Sequence, residues 1–382
     1  MAFGIVCEYN PFHNGHLRQI NEIKKVSDEP IICVMSGNLT QRGEVAIVDK
    51  YERAKMAIEA GADLVFELPV PHCVSSAEYF ASAGVYILSE LGVSKISFGS
   101  ESADAEEIMR IAEIAASDSF REECTRLSQG EGSASAYFDL LAEKSGVSGI
   151  KSNDILAIEY AKAIIKNRYV MKICPIKREG NSYRDTELVG GELPSASAIR
   201  ESISRGCLNE IESFVPKSTL DILKSNELAD IANIQSGVLL ALRLAEPKKL
   251  DIAIRDRGLV NRICALSHKS PSLEYLIEKL QTKKYTSAAI RRAILYILLG
   301  IKQSDLDARP TYTTLLGAND KGREYLSSIR KDERNISLIT KPADAKDCRQ
   351  LELDQKADAL YSMCFNHKKR SAFCTKKSPY IE

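Results

Sequence analysis

Hydrophobic positions in the first half of the chain alternate between short apolar runs and helical spacing. Ala2–Cys7, Pro30–Met35 and Asp63–Leu68 are apolar runs of strand length. Between them, Asn14–Val26 and Lys50–Ala60 carry apolar residues three or four positions apart, as on one helix face. Strands that alternate with helices predict a parallel sheet covered on both faces. The same pattern predicts helices over Ser76–Leu91, 102–170 and Ser195–Ile203, strands over Lys95–Phe98 and Val170–Ile176, and a loop over Asn181–Leu193.

Strand signals fade beyond residue 206. Leu220–Leu228, Ile231–Leu244 and Ser287–Leu299 repeat the 3.6-residue period, and Thr311–Ile339 indicates a mixed or helical segment. A length of 382 residues fits two domains. We therefore expect an α/β domain over 1–205 and a mainly helical domain over 206–382.

The composition is that of an ordinary globular protein and excludes several classes. Hydrophobic residues make up 44% and charged residues 27% of the chain, and 52 Lys and Arg balance 52 Asp and Glu. The ten Cys include no C-x-x-C pair, so we expect neither a disulfide framework nor a metal site. The longest apolar stretch, Ala293–Ile301, is far shorter than the ~20 residues of a membrane span. Without a secretory start, the chain is predicted to be soluble and cytoplasmic.

One motif carries the strongest chemical signal. Asn10-Pro11-Phe12-His13-Asn14-Gly15-His16 follows the first predicted strand and opens a helix, and it holds two of the five His. The helix N-terminus offers unpaired N–H groups, and Gly15 lets a ligand approach the backbone. Ligands of parallel sheets bind at the carboxyl ends of strands. We therefore expect His13 and His16 to cradle a triphosphate, although two His in an ordinary loop is the alternative.

A second cationic element is expected further along the chain. Arg178 follows the fifth predicted strand, and Ser195, Ser197 and Arg200 open the next helix. Hydroxyls and an Arg at a helix start suit phosphate oxygens. Helix capping by the Ser residues and a surface ion pair for Arg178 are the alternatives.

H-x-G-H at this place resembles the signature of the nucleotidyltransferase superfamily, which implies a Rossmann-like nucleotidyltransferase domain over residues 1–205. Further segments, from C-E-Y-N-P-F-H-N-G-H at 7–16 to S-A-A-I-R-R at 287–292, together resemble the bacterial tRNA(Met) cytidine acetate ligase family. These further segments are M-S-G-N-L-T-Q-R-G-E at 35–44, F-G-S-E at 98–101, S-N-D-I-L-A-I-E-Y at 152–160, K-R-E-G at 177–180, S-A-S-A-I-R at 195–200 and L-L-G at 315–317.

The resemblance implies a reaction and its participants. ATP and acetate would form acetyl-adenylate with release of pyrophosphate, and the acetyl group would move to N4 of the wobble cytidine of elongator tRNA(Met). The product would be N4-acetylcytidine, with Mg²⁺ on the phosphates. His13 and His16 would be catalytic. The implied ATP site comprises Cys7, Glu8, Tyr9, Asn10, Pro11, Phe12, His13, Asn14, Gly15, His16, Leu17, Arg18, Gln19, Ile20, Gly99, Asn153 and Arg178, to which we add Ser195, Ser197 and Arg200.

Other residues receive less specific expectations. Asn153 could instead cap the helix Asp154–Lys166, and Asp49 and Lys50 could cap the predicted helix Lys50–Ala60. The loop Ser36–Glu44 is predicted to face a substrate. Between Arg243 and Arg292 the sequence has 12 Lys and Arg against 5 Asp and Glu, a balance that suits RNA phosphates. The expected tRNA-binding residues are Lys283, Lys284, Arg291 and Arg292.

Two alternatives stay open. An adenylyltransferase for a small phosphorylated metabolite would keep the His pair, but would leave the helical region without a task. A non-enzymatic, ATP-sensing RNA-binding protein with a decayed site would not need the intact His13 and His16.

Overall fold

A mostly parallel sheet organises the chain in the computed structural model. The structure describes residues 1–131, 134–150, 152–178, 194–254, 256–329, 334–346, 348–367 and 378–382, with the side chains of 127–131, 134–135, 152–153 and 342 left out. In these ranges the sheet has eight strands. They are β1 (Phe3–Cys7), β2 (Ile31–Ser36), β3 (Leu64–Leu68), β4 (Lys95–Ser100), β5 (Lys172–Lys177), β6 (Tyr312–Ala318), β7 (Ser337–Ile339) and β8 (Tyr380–Ile381).

The strand order creates a crevice at the centre of the sheet. The order is β5-β4-β1-β2-β3-β6-β7, with β8 beside β6. From β1 the chain winds through β2 to β3 and then crosses back to β4 on the other side of β1. Strands β1 to β5 are parallel, as predicted. The reversal places a topological switch point between β1 and β4, where parallel sheets bind ligands.

The helices surround this sheet and continue beyond it, and the predicted α/β class is confirmed. Helix α1 begins at Asn14 and ends at Val26, as its spacing predicts. The helices are α1 (Asn14–Val26), α2 (Lys50–Glu59), α3 (Ala77–Glu90), α4 (Ala105–Ala116), α5 (Asp118–Glu131), α6 (Ala134–Ser145), α7 (Ser152–Asn167), α8 (Ala196–Ser204), α9 (Lys217–Ser225), α10 (Gln235–Leu244), α11 (Arg257–Ser267), α12 (Leu273–Leu280), α13 (Ser287–Leu299), α14 (Gln303–Asp307), α15 (Asp320–Ser328) and α16 (Arg349–Ser362).

Two apolar layers cover the faces of the sheet. Ile5, Cys33 and Val65 alternate along their strands toward α1 and α2 on one face. Val34 and Phe66 point to the other face, toward α3 and α7. Strands buried on both sides need continuous apolar runs, which is why the sequence pattern located them.

The C-terminal part returns to the sheet, which its sequence pattern did not predict. Helices α10 to α13 form their own apolar core, and we call these four helices the helical module. Thr311–Ile339, expected to be mixed or helical, instead contains β6 and β7 around α15. Strand β6 lies antiparallel beside β3, with Val65 opposite Gly317. The boundary at 205/206 stays a prediction, but residues 206–382 belong partly to the central sheet.

Across the described ranges, no helix combines the length and the apolar character needed to cross a bilayer. The predicted loop Asn181–Leu193 lies within residues 179–193, which are outside the described part of the chain.

Candidate active site

Two stacked imidazoles close the N-terminus of α1. His13 is the N-cap: its ring Nδ1 accepts the Gly15 backbone N–H at 3.0 Å, and the His13 backbone N–H donates to His16 Nδ1 at 3.2 Å. The ring centroids of His13 and His16 lie 3.7 Å apart. A Cβ on Gly15 would lie 2.8 Å from His13 Cε1, so only glycine leaves room for this ring. The two His thus form a reciprocal cap at the carboxyl end of β1.

The hydrogen bonds fix how the two rings can act. Because each Nδ1 accepts a backbone N–H, each neutral ring carries its proton on Nε2. Among the described residues, none accepts from either Nε2–H. Burial, with a smaller effect of nearby Arg178 and Arg200, lowers the pKa of His13 to about 3. Burial, then His13, also lowers the pKa of His16 well below its usual value. The pair is therefore neutral at physiological pH and has two N–H donors for an incoming anion.

The loop before the helix is held rigidly beneath these rings. Tyr9 is buried, and its ring centroid lies 4.8 Å from those of both Phe12 and His16. Asn10 Oδ1 accepts the Ile47 N–H at 2.9 Å. These contacts make Tyr9, Asn10 and Phe12 supports of the site.

The neighbouring strands contribute Gly99 and Arg178. Gly99 lies near the end of β4, and the Arg178 stem passes over it: a Cβ there would lie 3.0 Å from Arg178 Cγ. The Arg178 N–H donates to the Ser100 carbonyl at 2.9 Å, which extends the pairing of β4 with β5. The Asp154 carboxylate accepts the Ser100 hydroxyl at 2.6 Å and the Glu101 N–H at 2.9 Å. The structure thus brings Arg178 and Gly99 together with the His pair.

Other predicted ATP-site residues divide between the site and the core. Asn14 Nδ2 donates to the Ser213 carbonyl at 2.9 Å, and Gln19 Nε2 donates to Ser97 Oγ at 3.4 Å. Ile20 is fully buried in the core on that face of the sheet, so its side chain supports the site from below. Cys7 and Leu17 are partly buried against the same core, and Arg18 is half-buried beside them.

Helix α7 begins at Ser152, so Asn153 lies in its first turn and is not its N-cap. The Asn153 side chain lies outside the described part of the chain. Its contribution to nucleotide binding therefore stays a prediction.

Of the two Ser residues at the start of α8, Ser195 has the capping role that was the alternative. Ser195 is the N-cap, and its Oγ accepts the Ala198 N–H at 3.1 Å. Ser197 Oγ accepts from Arg200 at 3.3 Å. Arg200 also donates to the Asn10 carbonyl at 2.9 Å, next to the His motif. Arg200 therefore reaches the site, whereas Ser195 holds the helix that carries it.

A carboxylate that sequence reasoning did not single out links Arg200 to the helical module. Glu44 pairs with Arg200 and with Arg291, each at 3.1 Å. Gly43, at φ +72°, packs against Arg291 and Arg292, where a Cβ would lie 2.7 Å from Arg291 Cβ. The loop Ser36–Glu44 therefore joins the end of the sheet that carries the His pair to α13.

The base of this loop rests on buried ionised groups. Lys50 contacts Glu67 at 2.8 Å and Asp358 at 3.5 Å, and all three side chains are buried. Asn38 Nδ2 donates to the other Asp358 oxygen at 2.9 Å. Asp49 is the N-cap of α2, the role that the sequence suggested for it. Lys50 instead belongs to the buried network. Nothing in the sequence near Lys50 pointed to a partner on α16.

The predicted tRNA-binding residues differ in exposure. Lys283 is exposed. Lys284 pairs with Asp256 at 3.0 Å, and Arg291 pairs with Glu44. Arg292 donates to the Gln41 carbonyl at 3.1 Å, and burial lowers its pKa. Three of the four therefore already have partners inside the protein.

Comparisons with known proteins show which family this chain resembles. Residues 1–376 match the family model described as HIGH Nucleotidyl Transferase. The chain is 38% identical over 398 residues to a tRNA(Met) cytidine acetate ligase of Acetivibrio thermocellus, with 96% of this chain and 95% of that protein covered. It is 35% identical over 384 residues to the ligase of the same name from Limosilactobacillus reuteri, with 95% of each covered.

Two solved structures have the same fold. Apo Thermotoga maritima TmcAL is 29% identical and superposes with a TM-score of 0.90, covering 100% of this chain and 99% of that one. TmcAL of the same organism bound with alpha-thio ATP is 28% identical, with a TM-score of 0.87 and the same coverage.

The crevice beside β1, the paired imidazoles and these matches define the class of HIGH nucleotidyl transferases. Within that class the chain belongs to the tRNA(Met) cytidine acetate ligase family. It is accordingly a ligase of tRNA modification.

Proposed function

We propose that this ligase joins ATP and acetate to form acetyl-adenylate and transfers the acetyl group to N4 of the wobble cytidine of elongator tRNA(Met). The observation that carries the proposal is the pair of neutral imidazoles, each with an Nε2–H left for a ligand. A triphosphate brings several negative charges, and neutral donors bind it without the cost of holding two buried cations side by side. The ATP analogue bound by the T. maritima relative supports the same ligand here.

In the first step, an acetate oxygen attacks the α-phosphorus of ATP. A new P–O bond forms as the bond to the pyrophosphate oxygen breaks, and pyrophosphate leaves with the electron pair. His13 and His16 donate hydrogen bonds to the phosphate oxygens where the leaving group develops charge, and Arg178 holds the bound triphosphate by a charge-assisted hydrogen bond. Holding acetate and ATP together removes the entropic part of the barrier.

Mg²⁺ stays a prediction. Within the described ranges no cluster of His, Cys, Asp or Glu could hold a metal ion. The ion would therefore be carried by the triphosphate oxygens, and it would there neutralise charge on the leaving group.

In the second step, the cytidine N4 attacks the acetyl carbonyl carbon, AMP leaves and N4 loses a proton. The N4 lone pair is delocalised into the ring, which is why an activated anhydride is needed. Glu8 is a candidate to receive this proton. It follows β1 directly, and burial raises its pKa. Its carboxylate accepts the Gln41 N–H at 2.6 Å, which fixes it at the mouth of the crevice.

The RNA surface of this proposal includes Lys283 and extends to α11. The exposed Arg262 lies on α11, and the exposed Lys269 lies two residues after the C-terminal end of that helix. Within the described part of the chain neither forms an ion pair. Unpaired exposed cations release counterions when RNA binds, whereas internally paired ones gain little.

Incubation of the protein with ATP, labelled acetate and bacterial tRNA tests the proposal. We expect label in N4-acetylcytidine, and ATP–pyrophosphate exchange that requires acetate but no tRNA. Exchange that instead requires a phosphorylated metabolite would favour the adenylyltransferase alternative. Absence of both activities in a folded sample would contradict the proposal.

A further inference from the structure

A second cavity lies between the sheet domain and the helical module. It encloses about 350 Å³ between α3 and α13, with Ile254 and Leu259 closing one side. Its polar walls come from Glu78, Tyr79, Arg292, Tyr296 and Gln303. The proposed acetyl transfer gives this space no role so far.

One wall of the cavity is a fixed aromatic ring. The Tyr79 hydroxyl donates to Asp307 at 3.0 Å and accepts from Gln303 at 2.8 Å, and these two bonds orient its ring. A second aromatic residue of the wall is Tyr296, whose side chain is buried while its hydroxyl has no partner among the described residues. Fixed aromatic walls suit the flat face of a base.

The cavity also holds a guanidinium whose hydrogen-bond donors the fold leaves partly unused. Arg292 is half-buried, and within the described ranges it pairs with no carboxylate; its one bond goes to the Gln41 carbonyl. Donors withdrawn from water are costly unless a ligand supplies acceptors. Its free N–H groups and the Tyr296 hydroxyl therefore favour a ligand with carbonyl oxygens.

The position relates the cavity to the proposed reaction. Arg292 binds Gln41, and the Gln41 N–H binds Glu8 at the end of β1. The cavity thus lies one loop residue away from the nucleotide end.

We propose that this cavity binds one unstacked nucleobase of the RNA substrate, next to the base that is modified. This inference rests on the proposed function, because it takes the substrate to be a tRNA. The base stacks on Tyr79 and presents carbonyl oxygens to Arg292 and Tyr296. Single-stranded RNA loops are generally recognised by such splayed bases.

A cycle between protein variants and RNA tests the proposal. The probe is a set of anticodon stem-loop hairpins of tRNA(Met) sequence, each with one loop base replaced by an abasic residue. With the unaltered protein, one abasic position beside the wobble base should weaken binding about tenfold. With Tyr79→Leu, the intact hairpin should bind about tenfold more weakly, and that abasic change should then have no further effect. Tyr296→Phe should produce a smaller loss coupled to the same position.

The controls separate this cavity from the proposed activity. Tyr275→Phe, on the exposed face of α12, should leave the abasic profile unchanged. Acetate-dependent exchange without RNA should keep its KM for acetate in Tyr79→Leu and Tyr296→Phe. Equal effects of every abasic position in variant and unaltered protein would overturn the proposal, and a raised KM for acetate would assign the cavity to the acid instead. The proposed function is tested separately on the unaltered protein, and it fails if that protein shows neither acetate-dependent exchange nor label in N4-acetylcytidine.

Discussion

The two sides of the crevice hold their buried polar groups in opposite states. Beside β1 and β4, His13 and His16 are neutral and keep donors for a ligand. Under the loop Ser36–Glu44, Lys50 and Glu67 are an ion pair that the protein satisfies internally. The first arrangement suits an anionic ligand that brings its own charge. The second uses up its charge within the fold, so its task is to position the loop.

The largest effect is expected for a substitution in the buried network under the loop Ser36–Glu44. Lys50→Met leaves Glu67 and Asp358 buried without their cation, which should lower the free energy of unfolding by about 3–5 kcal/mol. Denaturant unfolding measures this. Lys55→Met, on the same helix but with an exposed and longer pairing to Glu59, should change stability by less than about 0.5 kcal/mol. Equal stability of the two variants would show that the network is not needed.

On the nucleotide side, His13→Asn should act on catalysis rather than on folding. Asn keeps a capping acceptor for α1 but removes the imidazole Nε2–H. Acetate-dependent exchange should fall by about 10²–10³-fold, with an unchanged unfolding midpoint. The exposed His268→Ala is the matched control. An active His13→Asn enzyme would remove the imidazole from the mechanism.

A substitution of Arg178, near the His pair, should have a smaller effect on the reaction. Arg178→Leu should raise the KM for ATP by about tenfold, because a charge-assisted hydrogen bond to phosphate is lost. Steady-state exchange at varied ATP measures it, and Lys172→Ala on the same edge of the sheet is the control. A change in kcat alone would place Arg178 on the leaving group rather than in ATP binding.

The RNA surface should respond to charge without affecting acid activation. Arg262→Glu combined with Lys269→Glu should weaken tRNA binding several-fold and lower its salt dependence, since two phosphate contacts are lost. Filter binding at two salt concentrations, beside tRNA-free exchange, measures both. Lys95→Glu, near the N-terminal end of β4, is a control of like charge. Loss of exchange in the double variant would indicate misfolding.

The last effect concerns pH. The pKa of His13 is about 3 in the folded protein, against about 6.5 in an unfolded chain. Between these values the unfolded chain binds more protons, so the free energy of unfolding falls as pH falls from about 6.5 to 3. In His13→Asn this slope should be shallower. Bound ATP should raise the pKa of His13, and NMR of the ring nitrogens can follow this change. If ATP leaves the pKa of His13 unchanged, contact between this ring and the phosphates is contradicted.

The sequence predicted the two sides of the crevice unequally, for a physical reason. The His pair, Gly15 and the first five strands depend on residues close together in the chain, so local patterns located them. The Arg200–Glu44–Arg291 bridge joins residues 156 and 247 positions apart, which no local pattern reports. The sequence did not predict strand β6. Its place depends on the edge of the sheet at β3 that it covers, and that edge is formed by residues far away in the chain.

The route of the chain from β5 to β6 has a mechanical consequence. These strands lie on opposite sides of β4-β1-β2-β3, so the polypeptide between them spans the sheet from one flank to the other. The helical module is therefore tethered at two anchors and cannot swing on a single hinge. If RNA binds at α11 as proposed, the architecture sets the separation between that RNA and the imidazoles. Removing a helical turn from this span would change which nucleotide arrives, even where every contact residue is kept.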